Sequence, residues 1–174
     1  MQIEQIISKD LESPLGKLVI GATSKGCCLL EYQDRGGLVK IQHRITKQYK
    51  LEMERGTNVF LEQLESELDQ YFKRLRQNFS VPLDVRGTPF QRAVWEQLLS
   101  IPYGETRTYG EIARLVGKPL AVRAIGRANG DNPLAIVIPC HRVIQHDGKL
   151  KGYGGGLWRK EHLLTLESRQ SSRR

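Results

Sequence analysis

Residues 108–129, TYGEIARLVGKPLAVRAIGRAN, are the stretch of sequence that decides the fold. Thr108 and Glu111 are spaced as in a capping box, which predicts that a short helix begins here. Gly117 and Pro119 are expected to end that helix, because glycine favours the position after a helix and proline cannot continue one. A second helix is predicted after only a few residues. Two helices joined by a tight turn form a helix-turn-helix pattern, which occurs in DNA-binding proteins and in ordinary helix pairs.

The second helix, predicted over about residues 121–129, has small residues and two arginines on its outer surface. The small residues are Ala121, Ala124 and Gly126. Arg123 and Arg127 are four residues apart and therefore share a face. Small side chains let a helix approach a duplex closely, and arginines reach phosphates or bases, so this composition favours DNA binding. Two solvated arginines on an ordinary surface helix are the alternative interpretation. The predicted inward-facing residues of the two helices are Ile112, Leu115, Val116, Val122, Ile125 and Ala128.

The residues upstream predict one further helix and, before it, a small sheet with two helices. Thr88 and Gln91 form another capping box with Pro89 between them, which predicts a helix from Pro89 to Leu99. Two short apolar runs, at residues 16–22 and 27–32, predict an antiparallel pair of strands. Apolar residues at helical spacing then predict two amphipathic helices. They are Leu38, Ile41, Ile45 and Tyr49 in the first, and Leu61, Leu64, Leu68, Phe72 and Leu75 in the second.

These elements predict a mixed α/β (α+β) fold in two domains. Residues 1–80 are expected to hold the small antiparallel sheet and its helices, and residues 81–86 are expected to be a linker. Residues 87–168 are predicted to form a mostly helical domain with the helix-turn-helix. Residues 169–174 are polar and are predicted to be a disordered tail.

Composition and charge indicate a globular protein with a polyanionic partner. The 174 residues are 39% hydrophobic and 26% charged. No apolar run approaches the ~18 residues of a membrane helix, so we expect no membrane association. The N-terminus shows no secretory signal, which predicts a reducing, intracellular location. A net charge of +8 favours nucleic acid as the partner, with a membrane surface or simple solubility as alternatives.

The three cysteines, Cys27, Cys28 and Cys140, predict at least one free thiol, because their number is odd. An adjacent pair such as Cys27 and Cys28 is also a poor disulfide candidate in a reducing compartment. There is no CxxC pair and no His-x-x-x-His spacing in the chain, so no metal site is predicted.

A candidate chemical signal, weak by itself, is the dipeptide Cys140-His141, which follows an apolar run at residues 135–138 and Pro139. We expect the apolar run to be a buried strand, since strand ends often present reactive groups. A thiol attacks only as thiolate, so its ordinary pKa of about 8.5 must fall, and His141 is the obvious candidate base. Adjacent side chains of a strand point to opposite faces, so a direct Cys-His contact would need a sharp turn at Cys140 or a bridging water. A buried cysteine that only fills space is the alternative.

Residues 139–143, Pro-Cys-His-Arg-Val, resemble the active-site signature of the O6-alkylguanine-DNA alkyltransferases, also called methylated-DNA-protein-cysteine methyltransferases. The similarity continues in the family's order and spacing. It includes residues 87–91, 108–113, 121–126, 129–133 and 152–156. The resemblance is strong over residues 87–167, whereas the N-terminal part is similar only through residues 13–18 and its order of strands and helices.

This resemblance implies DNA repair by irreversible, stoichiometric transfer of an alkyl group from O6-alkylguanine in double-stranded DNA, with base flipping. O4-alkylthymine is a second candidate substrate. The resemblance also implies a ribonuclease H-like N-terminal domain. A non-enzymatic protein that binds alkyl lesions is the alternative, but such proteins lack the acceptor thiol that Cys140 provides. A transcriptional regulator and a Cys-His hydrolase are less favoured, because no dimerisation segment and no separated histidine are evident.

The family's catalytic roles can be carried onto this sequence residue by residue. Cys140 would accept the alkyl group, and His141 would withdraw its proton through a water molecule. Glu167 would orient and charge the imidazole. Asn132 would brace the active-site turn, and Tyr109 would donate a hydrogen bond or proton to the departing guanine.

The resemblance also implies a DNA-binding surface and a substrate pocket. Arg123 would be the arginine finger that enters the minor groove and fills the space of the flipped nucleotide. The other residues expected at the DNA are Thr108, Ala121, Ala124, Gly126 and Arg127. The residues expected around the flipped base are Val143, Tyr153, Gly154 and Gly155. The glycines following Tyr153 are expected to leave the pocket wall open to a bulky O6 substituent such as benzyl.

The resemblance implies no cofactor and a monomer that acts in the cytoplasm at the nucleoid, or in the nucleus in a eukaryote. Animal members of the family bind zinc near the N-terminus. Here Thr23 occupies one of the ligand positions and Cys28 only stands near another, so no structural zinc is predicted.

Overall fold

The chain divides into two compact units, Met1–Arg86 and Gly87–Arg174. The structure is a computed structural model that describes the backbone of residues 4–171 and the side chains of residues 4–168. Within that part of the chain, no helix has both the length and the apolar character needed to span a membrane.

The first unit contains a four-stranded sheet in the order β3-β2-β1-β4. Its strands are β1 (Ile6–Leu11), β2 (Leu18–Ala22), β3 (Cys27–Tyr32) and β4 (Met53–Arg55). The predicted hairpin is confirmed as β2 and β3, which pair antiparallel. The expectation of a purely antiparallel sheet is wrong, because β4 pairs with β1 in parallel. The sequence IISKDL of β1 and the three-residue β4 carry too few apolar residues to signal a strand on their own.

Two helices accompany the sheet, α1 (Leu38–Tyr49) and α2 (Val59–Phe72). Ile45 and Tyr49 of α1 are buried in a core cluster that also contains Leu29 of β3. Leu75 was expected on the apolar face of α2, but it lies beyond the end of the helix and is 76% exposed. The helix ends earlier because Arg74 adopts a left-handed φ of 61°, which breaks the helical path.

The segment 81–86 was expected to be a linker, and it is instead bound to the edge of the first sheet. The Cys27 amide donates to the Pro82 carbonyl oxygen at 2.8 Å, and the Asp84 amide donates to the Cys27 carbonyl oxygen at 2.9 Å. Thr23 also donates a side-chain hydrogen bond to Asp84 at 2.6 Å. The edge strand β3 has unpaired backbone groups at this point, and the segment satisfies them.

The second unit is mostly helical. Its elements are α3 (Pro89–Leu99), β5 (Arg107–Thr108), α4 (Tyr109–Leu115), α5 (Val122–Gly130), a 3₁₀ turn (Cys140–Arg142), β6 (Val143–Ile144) and α6 (Leu157–Ser171). Both predicted capping boxes are formed, one at the start of α3 and one at the start of α4. Helices α3, α4 and α5 pack against one another, and Trp95 of α3 donates to the Ala128 carbonyl oxygen at 2.8 Å. The predicted helix-turn-helix is thus α4 and α5.

Two of the residues predicted to face inward in this helix pair are exposed. Leu115 is 56% exposed and Val122 is 43% exposed, whereas Ile112 and Ile125 are fully buried. Leu115 is the last residue of α4 and Val122 the first of α5. Their side chains lie at the rim of the helix pair, where the neighbouring helix no longer covers them.

The apolar run at residues 135–138 is a buried turn, and the prediction of a strand there is wrong. Ile136 has a left-handed φ of 72°, and the Ile138 amide donates back to the Leu134 carbonyl oxygen at 2.9 Å. These local hydrogen bonds replace the ladder that a strand would need from a neighbour. A short apolar run indicates burial, but its periodicity does not distinguish a strand from a turn.

The C-terminal helix α6 runs as far as Ser171, so residues 169–171 are helical rather than part of the predicted disordered tail. Arginine and glutamine are good helix formers, which allows the last turn to extend past Ser168. Residues 172–174 of the predicted tail lie outside the described residues.

Candidate active site

Cys140 lies at the start of the 3₁₀ turn, directly after a backbone braced by two buried asparagines. Asn132 donates from Nδ2 to the Ile138 carbonyl oxygen at 2.8 Å, and its Oδ1 accepts from the Leu134 amide at 3.0 Å. Asn129, at the end of α5, donates from Nδ2 to the carbonyl oxygen of Cys140 itself at 3.3 Å. The nucleophile is therefore held by side chains that are themselves buried, as a preorganised site requires.

A direct contact between Cys140 and His141 would need a sharp turn at Cys140, and the 3₁₀ turn provides one. His141 and Arg142 follow Cys140 in the same turn. The Cys140 residue is 6% exposed and His141 is fully buried. Both residues are thereby kept away from bulk water, which strengthens the electrostatic interactions between neighbouring groups.

His141, Arg142 and Glu167 form a buried network next to Cys140. The ring nitrogen Nε2 of His141 lies 2.8 Å from Glu167 Oε1. Arg142 donates to both oxygens of the same carboxylate at 2.9 Å, from Nε to Oε2 and from Nη2 to Oε1. It also donates from Nη1 to the Ile101 carbonyl oxygen at 2.7 Å. Helix α6 thus presents one carboxylate to two side chains of the 3₁₀ turn.

The charges of this network leave a neutral imidazole beside an ionised carboxylate. Burial alone would raise the pKa of Glu167, but hydrogen bonds and charges from His141 and Arg142 lower that pKa to about 2. Burial lowers the pKa of His141 below its ordinary value, despite the opposing effect of Glu167. With an ionised carboxylate at Nε2, the neutral ring carries its proton on that nitrogen. The other nitrogen, Nδ1, is then a lone-pair acceptor.

His141 Nδ1 is the group that fits a general base. It is buried and has no hydrogen-bond partner among the residues that the structure describes. A buried acceptor without a partner is uncommon in a folded protein and calls for an explanation in terms of function. A neutral imidazole with one nitrogen bound to a carboxylate and the other available is the arrangement that activates a nucleophile.

Tyr109 and Lys160 also lie near Cys140. The Tyr109 hydroxyl is 3.5 Å from the Lys151 carbonyl oxygen, and burial raises the pKa of Tyr109, with a further contribution from nearby Cys140. The hydroxyl consequently stays protonated and is a hydrogen-bond donor at neutral pH. Lys160 is fully buried, and its Nζ donates to the carbonyl oxygens of Val143 at 2.5 Å and Lys151 at 3.3 Å.

An open pocket of about 580 Å³ is lined by Tyr109 of α4 together with α5 and the segment after β6. Arg123 and Gly126 line it from α5, and Lys151 and Gly152 line it from that segment. The volume lies within the roughly 300–1,000 Å³ that is usual for small-molecule sites. Tyr109 and Arg123, which were predicted to act on the base and on the DNA, therefore share one pocket.

The four residues predicted to surround the flipped base lie outside the lining of this pocket. Val143 is fully buried in β6, and Gly155 is also buried. Tyr153 is half-buried and Gly154 is exposed in the loop that follows Gly152. The pocket wall is formed by Lys151 and Gly152, at the start of that loop, rather than by its glycine run.

The residues predicted to meet DNA lie on or beside α4 and α5. Arg123, Ala124 and Arg127 are exposed on α5, whereas Gly126 and Ala121 are half-buried. Thr108 accepts from the Glu111 amide at 3.2 Å as the N-cap of α4, so its first role is to start that helix. The two arginines are thus available to a ligand on the face that the helical spacing predicted.

Three residues of the site were not assigned a role from the sequence, namely Asn129, Arg142 and Lys160. Each is polar or charged and buried, and each bonds to a backbone carbonyl of the site. Arg142 and Lys160 carry charge that sequence patterns normally assign to the surface. Only for Arg142 did the sequence hold a signal of burial, because this residue lies between His141 and a buried strand residue.

Comparison with known proteins agrees with this geometry. Residues 89–169 match a family model described as 6-O-methylguanine DNA methyltransferase, DNA binding domain. Residues 7–85 match the model of the same family's ribonuclease-like domain. A methylated-DNA--protein-cysteine methyltransferase of Methanosarcina barkeri is 43% identical over 157 residues, which cover 90% of this chain and 94% of that protein. The chain belongs to the 6-O-methylguanine DNA methyltransferase family.

Two further relatives place the chain within this methyltransferase family. The methylated-DNA--protein-cysteine methyltransferase of Mycolicibacterium paratuberculosis is 60% identical over 105 residues, which cover 60% of this chain and 64% of that relative. This match therefore spans less than two thirds of the relative's length. A crystal structure of Mycobacterium tuberculosis OGT in complex with DNA superposes with a TM-score of 0.81 at 41% identity, covering 94% of each chain. The resemblance and the mixed α/β fold expected from the sequence are confirmed.

Replacing Glu167 with Gln should move the pH dependence of alkyl transfer to higher pH. The pKa of Glu167 is lowered to about 2, so its carboxylate is ionised near neutral pH, and its charge supports proton uptake by His141. Without that charge the imidazole is a weaker base, so the thiolate forms only at higher pH. We expect the rate at pH 7 to fall at least tenfold, which corresponds to a shift of about one pKa unit. Single-turnover rates between pH 5.5 and 9.5 provide the measurement.

The matched control is Glu161→Gln, which changes an exposed carboxylate on the same helix. Its pH profile should equal that of the wild type. Because the change at position 167 also leaves Arg142 without its carboxylate, thermal unfolding must show that the variant is folded at the assay temperature. A folded Glu167→Gln protein with the wild-type profile would remove Glu167 from the mechanism.

Proposed function

We propose that this chain repairs double-stranded DNA by transferring the alkyl group of O6-alkylguanine to the sulfur of Cys140. The observation that carries the proposal is the buried His141 imidazole, bound to Glu167 at Nε2 and available at Nδ1, directly beside a cysteine. Membership of the family supports the same reaction. The relatives named above are called methylated-DNA--protein-cysteine methyltransferases, and one similar structure holds DNA.

The proposed reaction exchanges a carbon-oxygen bond for a sulfur-carbon bond and moves one net proton from the thiol to the purine. The Cys140 proton passes to His141 Nδ1, directly or through a water molecule, and the thiolate attacks the alkyl carbon. The sulfur-carbon bond forms as the carbon-O6 bond breaks, and the electron pair of that bond stays on the purine. Tyr109 donates a hydrogen bond or proton to the purine, which leaves as ordinary guanine. The thioether has no route back to thiol, so each molecule acts once.

Asn132, Asn129 and Lys160 support this reaction without touching the alkyl group. Asn132 and Asn129 hold the backbone before and at Cys140, and Lys160 holds the carbonyl oxygens of Val143 and Lys151. Lys160 also brings a positive charge near the cysteine, and this cation favours thiolate over thiol. Removing any one of the three should slow transfer by displacing the nucleophile rather than by removing a reactant.

The proposed DNA interface is the outer face of α5, with Arg123 as the finger that replaces the flipped nucleotide. Arg123 is exposed on α5 and lines the same pocket as Tyr109, so a base turned out of the stack beside Arg123 would meet the donor. Ala124 and Gly126 have little or no side chain, so the helix can approach a narrow minor groove closely next to the arginine. Ala121, Arg127 and Thr108 complete the surface that would follow the backbone.

We further propose that the protein acts as a monomer on DNA in the cytoplasm, or in the nucleus of a eukaryote. All residues assigned to the reaction belong to the second of the chain's two units, so the site is complete within that unit. The net charge of +8 suits a duplex partner.

Binding to a duplex should weaken steadily as salt is raised, with a modest slope. A short helix in the minor groove meets only a few phosphates, so a plot of log affinity against log salt should have a slope of about −3 to −5. Arg127→Ala should reduce the magnitude of the slope by about one, because it removes one phosphate contact. Fluorescence anisotropy at five salt concentrations is sufficient. Affinity that does not change with salt would contradict this mode of binding.

One incubation tests the proposed reaction itself. A duplex carrying labelled O6-methylguanine is mixed with the protein, and the peptide that contains Cys140 is analysed by mass spectrometry. We expect one methyl group per molecule on that peptide and unmodified guanine in the DNA. Binding of the duplex without methylation of Cys140 would favour the alternative, a non-enzymatic lesion-binding protein.

A further inference from the structure

Arg159 is a buried cation of α6 that the proposed reaction does not use. It is 4% exposed, although it lies near the start of the helix next to Trp158, which is 56% exposed. Its Nη1 donates to the Gly155 carbonyl oxygen at 3.0 Å, and its guanidinium carbon lies 4.6 Å from the centre of a Trp158 ring. A guanidinium is buried only where hydrogen bonds and ring contacts replace its water. The Trp158 ring supplies one such contact.

The bond from Arg159 anchors the far end of the loop formed by residues 151–156. The near end is anchored by Lys160, whose Nζ donates to the Lys151 carbonyl oxygen at 3.3 Å. Two adjacent residues of α6 thus hold both ends of the same loop. Between the anchors, Gly152 has a φ of 63° and Gly156 a φ of 95°, so the loop has the backbone freedom of glycine at both bends. A backbone hydrogen bond from the Gly156 amide to the Tyr153 carbonyl oxygen at 2.9 Å shapes the loop itself, and the two anchors hold it against α6.

The 151–156 loop forms one wall of the pocket beside Tyr109. Lys151 and Gly152 line the pocket, and a Cβ on Gly152 would lie 3.8 Å from the Tyr109 hydroxyl. A shift of the loop would change the space next to the group that faces the purine. From the glycines alone, the sequence predicted an open wall.

We propose that Arg159, shielded by Trp158, is a positioning residue that holds the 151–156 loop and so limits the size of the O6 substituent that the site accepts. This inference rests on the proposed alkyl transfer. With Arg159 in place, the loop stays against α6 and the site favours small alkyl groups. Without Arg159, the loop moves outward. The site then fits a methyl group less closely, so the rate of methyl transfer falls, and the rate of transfer of a large group falls less.

The test compares two duplexes that differ only in carrying O6-methylguanine or O6-benzylguanine. Single-turnover rates are measured for the wild type, Arg159→Met, Arg159→Lys, Trp158→Ala and the control Glu161→Gln, which lies on the exposed side of α6. Arg159→Met removes the donor but keeps a long side chain. We expect the ratio of benzyl to methyl rates to rise at least about threefold in Arg159→Met, because a charged hydrogen bond is lost. Arg159→Lys should restore part of the wild-type ratio, and Glu161→Gln should leave it unchanged.

A general loss of structure would slow both substrates and leave the ratio unchanged, so the ratio separates positioning from stability. If Arg159→Met does not fold, the Trp158→Ala variant tests the inference instead. It retains the Arg159 donor and exposes the hydrogen bond between Arg159 and Gly155 to water. It should raise the ratio in the same direction by a smaller factor. An unchanged ratio in the folded variants overturns the inference and leaves the proposed reaction intact. A wild-type protein that transfers neither group overturns both.

Discussion

Cys140→Ser should lose alkyl transfer while it still binds duplex DNA. A serine hydroxyl in the same turn stays protonated beside a neutral imidazole, and it is a far poorer nucleophile towards an alkyl carbon than a thiolate. We expect the transfer rate to fall by more than about 10³-fold, the scale seen when a nucleophile is removed from a catalytic unit. Duplex affinity should change by less than about twofold, because Cys140 is 6% exposed and contributes little contact area. Transfer is followed with a labelled O6-methylguanine duplex, and affinity by anisotropy.

The matched control is Cys28→Ala, which removes a different buried thiol. Burial raises the pKa of Cys28 to about 12, as it does that of Cys27, so both thiols stay protonated and unreactive at neutral pH. Cys28→Ala should keep its transfer activity as long as the first unit remains folded. Methyl transfer by Cys140→Ser at a measurable rate, or loss of transfer only in the Cys28 variant, would reject Cys140 as the acceptor.

Arg123→Ala should slow repair of a duplex far more than reaction with the free base O6-benzylguanine. The free base needs no flipping, whereas in a duplex the flipped nucleotide leaves a gap that Arg123 is proposed to fill. Unstacking a base requires a few kcal/mol, so loss of the finger should reduce the duplex rate by about 10²-fold. The rate with the free base should change by less than about threefold, since Arg123 lies at the exposed rim of the pocket. Both rates are measured under single-turnover conditions with the same protein preparation.

Arg127→Ala is the control for charge, because Arg127 is exposed on the same helix. It should weaken binding in the way expected for one phosphate contact and leave the transfer step in the bound complex unchanged. If Arg123→Ala lowers the duplex and free-base rates equally, Arg123 acts in the pocket and not in base flipping. If Arg123→Ala and Arg127→Ala have the same effect on duplex repair, the helix binds DNA without a finger.

Helices α3 and α4 of the second unit were predictable because their signals are local. The capping boxes at Thr88 and Thr108 satisfy helix N-terminal amides with side chains three residues away, and such pairs form wherever the chain is helical. The active-site turn was not predictable for the opposite reason. Residues 135–138 show an apolar pattern that fits a strand, but the Asn132 amide and the flanking backbone satisfy their polar groups in a turn.

By itself, the sequence of this protein determined the family and the helix-turn-helix and singled out Cys140 as the proposed nucleophile, since these depend on residue types at fixed spacings. Only the tertiary structure decided how the reactive groups are used. Glu167 reaches His141 and Arg142 across 26 and 25 residues of chain, and Arg159 reaches the pocket loop from a helix that follows it. Burial gives these charges their strength, because a carboxylate, a guanidinium or an ammonium interacts strongly only where water is excluded. Burial of a charged side chain is a property of the packed fold, and it leaves no periodic pattern in the sequence.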